Sequence, residues 1–170
     1  MKLTRRHAIL AAAGVSAAGL GTYELAAADE VSDGPFTQRE RAMLVTVAEA
    51  VYPWELAAAA DVLVPYFTRL DDRRTAATRR TLAEFDRLAQ SAFGVPLETL
   101  SAEEGRTLLR TLGSDRIQSS PTGTLAERVR FHLVNSILFA LMTHPSGTAP
   151  FDIDNPVGYP GGFASYTEGR

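Results

Sequence analysis

The stretch RVRFHLVNSILFALM, from Arg128 to Met142, constrains the fold more than any other part of this sequence. Thr124 and Glu127 precede it with the spacing of a capping box, in which each side chain satisfies a backbone N–H group at the start of a helix. From Phe131 onward the stretch is apolar on nearly every side, and such a helix lies at the centre of a small domain. We therefore expect a central helix that ends near Met142. Its polar interruptions are His132, Asn135 and Ser136.

Two other helices are also predicted to begin at capping boxes. The first should end before Pro53, because a proline disfavours the helical conformation in the residue that precedes it. The second should end at Gly113, since glycine readily adopts the left-handed conformation that stops a helix. The two boxes are Thr37 with Glu40 and Ser101 with Glu104.

An amphipathic pattern over residues 75–94 predicts a surface helix that stops at Gly94. A shorter helix is predicted from about Asp61 to Leu70, with Pro65 tolerated only near its first turn. No segment alternates between apolar and polar residues as a strand would. We therefore predict an all-α fold, a small helical bundle around one apolar central helix. The charged residues expected mostly off the apolar stripe of helix 75–94 are Arg79, Arg80, Glu84, Asp86 and Arg87.

The first 28 residues have the pattern of an export signal. Basic residues lead into an apolar run rich in alanine and glycine, and the alanines at 26–28 suit a signal peptidase. The pair Arg5 and Arg6 resembles the twin-arginine signal, which carries folded proteins across the membrane. An ordinary secretory signal and an uncleaved anchor are the alternatives. We predict residues 1–28 as a twin-arginine export signal, 29–35 as a linker and 36–170 as a single helical domain.

From about residue 143 the chain is predicted to form an irregular tail rich in glycine, proline and aromatic residues. Disordered tails usually lack such aromatics, so we expect the segment to pack against a surface. It either binds a partner or seals the end of the central helix of its own domain. The candidate partner-binding residues are Tyr159, Pro160, Phe163 and Tyr166.

Composition and motifs point away from catalysis by this chain. Cysteine is absent, and a net charge of -3 with a pI near 5.6 argues against nucleic-acid binding. His132 is expected to be a hydrogen-bonded core residue rather than a ligand or base, and His144 a turn residue. Asp152 and Asp154 lack the glycine and glutamate of a calcium loop. No dinucleotide, phosphate-loop or hydrolase motif is present, so we predict no catalytic, cofactor or metal site.

Four features together resemble the gluconate 2-dehydrogenase subunit 3 family. They are the twin-arginine signal, FTQRERAMLVTVAEAVYP at residues 36–53, the apolar FHLVNSILFALMTHP helix and the closing NPVGYPGG. This family comprises small subunits of exported, flavin-dependent sugar and sugar-acid dehydrogenases. The resemblance implies that a large subunit carries FAD and performs the oxidation, and that a cytochrome subunit often takes the electrons. The small subunit binds the large one and lends it the export signal.

The resemblance predicts a non-catalytic accessory subunit that assists folding, stability and twin-arginine co-export of a flavoprotein. Its location would be the outer face of the cytoplasmic membrane, the periplasm or the extracellular space. We expect contact with the membrane only through the export signal or the complex. A free-standing exported helical binding protein is the alternative function.

Overall fold

The computed structural model describes residues 35–52 and 59–153 of the chain. Three quarters of this part is helical and none of it forms a strand, which confirms the all-α prediction. Across these two ranges, no helix combines the length and apolar character that a membrane crossing requires. The helices are α1 (Gln38–Val51), α2 (Ala59–Thr68), α3 (Asp72–Phe93), a 3₁₀ turn (Leu97–Thr99), α4 (Ala102–Leu112), α5 (Leu125–Arg128), a π segment (Val129–Asn135), α6 (Ser136–Met142), α7 (Pro145–Thr148) and a 3₁₀ turn (Ala149–Phe151).

All three predicted capping boxes are present, and they fix where α1, α4 and α5 begin. At α1, for example, the Glu40 carboxylate accepts the Thr37 backbone N–H at 2.8 Å, and the Thr37 hydroxyl accepts the Glu40 N–H at 3.2 Å. The predicted helix stops are also confirmed. Gly94 after α3 and Gly113 after α4 have φ angles of 76° and 81°, which favour glycine because it has no Cβ.

The central helix (residues 125–142) consists of α5, the π segment and α6 in direct succession. α3 packs along its π segment, α1 contacts both the π segment and α6, and α2 lies against α6. The central helix, predicted to be apolar on nearly every side, leaves one face exposed. Asn135, Phe139 and Met142 recur at helical spacing and are exposed, although the Phe139 ring contacts that of Tyr66.

The helix predicted from about Asp61 to Leu70 is shifted. Its counterpart in the structure, α2, begins at Ala59 and ends at Thr68. Pro65 therefore lies inside the helix and not near its first turn. A proline there removes one backbone hydrogen bond and crowds the preceding turn. Burial of one apolar face outweighs that cost. The buried residues of α2 are Ala59, Val62, Leu63 and Phe67.

In α3, Asp86 is buried and is the exception to the expectation that the charged residues of this helix lie mostly off the apolar stripe. Its carboxylate accepts hydrogen bonds from the Leu97 backbone N–H at 2.9 Å, from Gln90 Nε2 at 2.8 Å and from Arg39 Nη2 at 2.9 Å. A buried carboxylate is tolerated when its oxygens are satisfied and a positive charge is close. The side chain thereby links α3, α1 and the first 3₁₀ turn.

α1 and α4 approach each other closely at Gly105. A Cβ atom placed on Gly105 would lie 2.9 Å from the Cβ of Ala50, a distance that real Cβ contacts essentially never show. Glycine in a helix interior costs roughly 1 kcal/mol relative to alanine. The short distance between the two helices explains why glycine is nonetheless present.

We predict that Gly105→Ala destabilises the protein although it raises helix propensity. Overpacking of this kind costs about 1–3 kcal/mol. The upper part of this range exceeds the gain in helix propensity, which is about 1 kcal/mol. Chemical denaturation should show a lower free energy of unfolding, and adding Ala50→Gly should recover part of the overpacking loss. Thr107→Ala, at an exposed position of α4, is the control. A Gly105→Ala variant more stable than wild type would contradict the close contact.

Candidate functional site

The site residues predicted from the sequence lie outside the described residues. This holds for Arg5 and Arg6 of the export signal and for the tail residues Tyr159, Pro160, Phe163 and Tyr166. Their roles therefore stay predictions. What the structure describes is the beginning of the tail and the surface that it joins.

The tail begins with helical turns, which corrects the expectation of an irregular segment from about residue 143. α7 and the second 3₁₀ turn together span residues 145–151. His144 caps α7, because its Nδ1 accepts the Ser146 N–H at 3.2 Å, and Pro145 occupies the first turn, where its missing N–H costs nothing. His144 is thus a turn residue, as the sequence indicated.

α7 is held tightly against the end of the central helix. A Cβ atom on Gly147 would lie 2.1 Å from the backbone oxygen of Leu141, so only glycine fits there. The Tyr52 hydroxyl donates to the Gly147 carbonyl, and the Thr148 hydroxyl donates to the Ile153 carbonyl at 2.6 Å. Burial raises the pKa of Tyr52, which keeps its hydroxyl protonated as a donor. The first turns of the tail therefore belong to the domain.

Large apolar side chains are exposed mainly near this end of the chain. Phe139 is 59% exposed, and its ring centroid lies 5.9 Å from that of Tyr66 on α2. Four of the six exposed large apolar residues of the described part fall within residues 139–153. We call these four the C-terminal apolar surface. They are Phe139, Met142, Phe151 and Ile153.

Sequence reasoning missed this surface, although one signal for it was present. Asn135 marks the solvent side of the central helix, and Phe139 and Met142 follow it four and seven residues later. Residues at that spacing share one helix face. The polar residue therefore indicated that the two apolar residues beside it are exposed.

His132 is a buried, hydrogen-bonded residue of the core, as predicted, with 5% of its surface exposed. Its Nε2 lies 3.1 Å from the Pro121 carbonyl oxygen. Burial lowers the pKa of His132, the hydrogen bond to Pro121 opposes that effect, and the nearby positive charges of Arg74 and Arg128 add to it. The imidazole is therefore neutral at pH 7, with Nε2–H as the donor.

Metal ligands do not cluster within residues 35–52 and 59–153, where no group of three His, Cys, Asp or Glu side chains could hold an ion. Asp152 ends the last 3₁₀ turn with a left-handed φ of 59°, a conformation that aspartate tolerates in turns. Asp154 lies outside the described residues. The described geometry thus gives Asp152 a turn role.

Comparison of the chain with protein-family models, with curated proteins and with solved structures found no match. The resemblance to the gluconate 2-dehydrogenase subunit 3 family therefore stays a prediction.

We predict that His132 makes stability fall as the pH is lowered. Its pKa in the folded protein is below the ordinary 6.5. Below that pH the unfolded state therefore binds more protons and is stabilised relative to the folded state. His132→Gln should be less stable than wild type near pH 7, and the gap should narrow toward about pH 5, by at most ~1.4 kcal/mol per pH unit. Urea unfolding at a series of pH values measures this. A gap that stays constant or widens would contradict it.

Proposed function

We propose that this chain is the small, non-catalytic subunit of an exported, FAD-dependent dehydrogenase. In this proposal it binds the flavoprotein large subunit, assists its folding and stability, and provides the twin-arginine signal for both. The resemblance to the gluconate 2-dehydrogenase subunit 3 family suggests the partner. FAD and the oxidation belong to the large subunit, and a cytochrome subunit receives the electrons in many complexes of that kind.

The observation that carries the proposal is the C-terminal apolar surface. Exposed aromatic and methionine side chains are enriched at the centres of protein interfaces. The neighbouring Tyr66 ring enlarges the contact area that Phe139 offers to a partner. Rigid aromatic pairs provide such area at a low cost in conformational entropy. Two of its members, Phe139 and Met142, lie on one face of α6, and exposed apolar side chains that share a face support protein binding.

The geometry around this surface suits a docking site, because the helix beneath it is packed into the core. Phe139 and Met142 lie on α6. The other face of this helix is buried and includes Ile137, Ala140 and Leu141. Side chains on such a buried helix move little when a partner binds, so less ordering entropy is lost. The Gly147 contact with Leu141 also fixes the start of the tail beside this helix. The predicted aromatic residues of the tail follow within the next twenty residues of the chain.

We predict that the full chain, tagged and purified from its natural host, brings with it a polypeptide that contains FAD. The double variant Phe139→Ser/Met142→Ser should lose at least about tenfold in yield of bound flavoprotein, since central aromatic contacts cost about 2 kcal/mol or more when removed. Flavin absorbance and mass spectrometry of the purified complex provide the measurement.

The matched control is Ile117→Ser, because Ile117 is an exposed apolar residue, at 36%, outside the C-terminal apolar surface. It should retain the flavoprotein. Thermal melting of all variants shows whether the domain still folds. Purification of the wild-type chain without any flavoprotein would contradict the proposal and favour a free-standing binding protein. Full retention by the double variant would show that the flavoprotein does not bind at the C-terminal apolar surface.

A second prediction concerns export. Replacing Arg5 and Arg6 by lysine should leave the domain folded but confine it to the cytoplasm, because the transport receptor reads the guanidinium pair. If the partner is exported together with this chain, the flavoprotein should stay inside as well. Cell fractionation followed by immunoblotting of both subunits measures this. Undiminished export of the double lysine variant would rule out the twin-arginine route.

A further inference from the structure

A cavity of about 270 Å³ opens between α1, α4 and the central helix. Its lining shares no residue with the C-terminal apolar surface, so it is a separate feature of the molecule. The volume lies just below the range of about 300–1,000 Å³ that is typical of drug-sized ligands. Any ligand that fits is therefore small.

The cavity combines an apolar wall with a group of positive charges. Arg106 and Arg110 of α4 and Arg130 of the π segment supply three guanidinium groups. The carboxylate that lines the same cavity, Asp115, lies 3.4 Å from Arg116 and is thus partly neutralised from outside. This local excess of positive charge contrasts with the chain's net charge of -3. The apolar wall is formed by Val51, Leu109, Val134 and Leu138.

Two of the guanidinium groups have unused hydrogen-bonding capacity. The Nε atom of Arg106 is buried and makes no hydrogen bond within the described residues, although Glu103 Oε2 lies 3.3 Å away as an ion-pair partner. Arg130 makes one long hydrogen bond, 3.5 Å from Nη1 to the Ser114 carbonyl oxygen. A buried polar atom without a hydrogen bond is costly and is rare in folded proteins. Because a guanidinium has five N–H donors, each of these two side chains retains donors for a further acceptor.

Part of the cavity lining comes from the π segment, which is an unusual local structure. π-helical turns are rare and occur frequently at functional sites. Here the π segment supplies both Arg130 and Val134 to the lining. At the end of the segment, the Ser136 hydroxyl donates to the Phe131 carbonyl at 3.3 Å. Arg130 and Val134 are four residues apart, so the segment presents a charged and an apolar side chain to the same cavity.

We propose that this cavity binds a small organic carboxylate. Arg106 and Arg130 hold the anionic group, because the planar guanidinium matches the two oxygens of a carboxylate. The apolar body of the ligand lies against the leucine and valine side chains of the wall, which favours it over a fully hydrated inorganic anion. Binding at this site does not depend on the proposed role as a dehydrogenase subunit.

The test is a titration of the ¹⁵N-labelled full chain with sodium benzoate, followed by NMR. We expect saturable shifts of the Arg106 and Arg130 Nε–H signals. Arg106→Gln and Arg130→Gln should each weaken binding by about tenfold or more, since a charge-assisted hydrogen bond contributes that much to affinity. Arg73→Gln, an exposed arginine of α3 that does not line the cavity, should bind benzoate like wild type.

Benzamide and sodium sulfate complete the experiment. Benzamide has the shape of benzoate without its charge, and sulfate has charge without an apolar body, so both should bind at least about tenfold more weakly. Circular dichroism confirms that the variants fold, and the two cavity variants serve as independent checks. Benzoate shifts that do not saturate, equal binding of benzamide or sulfate, or unchanged affinity in both cavity variants would each overturn the proposal.

Discussion

The carboxylate of Asp86 holds together three parts of the structure that are distant in sequence. Its oxygens accept hydrogen bonds from the start of α1, from the next turn of α3 and from the backbone of the first 3₁₀ turn. Arg39 extends the network, because its Nε also donates to Glu98 at 2.7 Å, and this bond is the main reason why the pKa of Arg39 is raised. The 3₁₀ turn leads directly into the capping box of α4. The position of α4 against α1, and with it one wall of the arginine-lined cavity, thus depends on this buried charge.

Much of the fold could be predicted from the sequence because its signals are local. Capping boxes, left-handed glycines and helical periodicity depend on residues within one or two turns of each other. Asp86 could not be recognised in this way, since two of its hydrogen-bond donors, Arg39 and Leu97, come from other elements. The same reason applies to Gly105 and Gly147, whose need for glycine arises from close contact with Ala50 and with the Leu141 backbone. Pro65 shows the reverse case, in which burial of apolar residues overrides a local helix-breaking signal.

The functional surfaces were harder to predict than the fold. The residues singled out from the sequence, Arg5, Arg6 and the tail aromatics, lie outside the described residues. The C-terminal apolar surface became visible only once it was clear which face of α6 is left uncovered. The cavity combines residues of α1, α4 and the central helix, and no spacing in the sequence marks such a group. Both nevertheless include residues of the central helix, which supplies Phe139 and Met142 to the surface and Arg130, Val134 and Leu138 to the cavity.

The central claim is that the C-terminal apolar surface binds a flavoprotein. The most direct test is hydrogen–deuterium exchange of the full chain, measured alone and with the purified flavoprotein large subunit. The account predicts slower exchange in residues 136–153 when the flavoprotein is present, with no change along the exposed face of α3. Unchanged exchange in residues 136–153, or protection of the α3 face in its place, would contradict it.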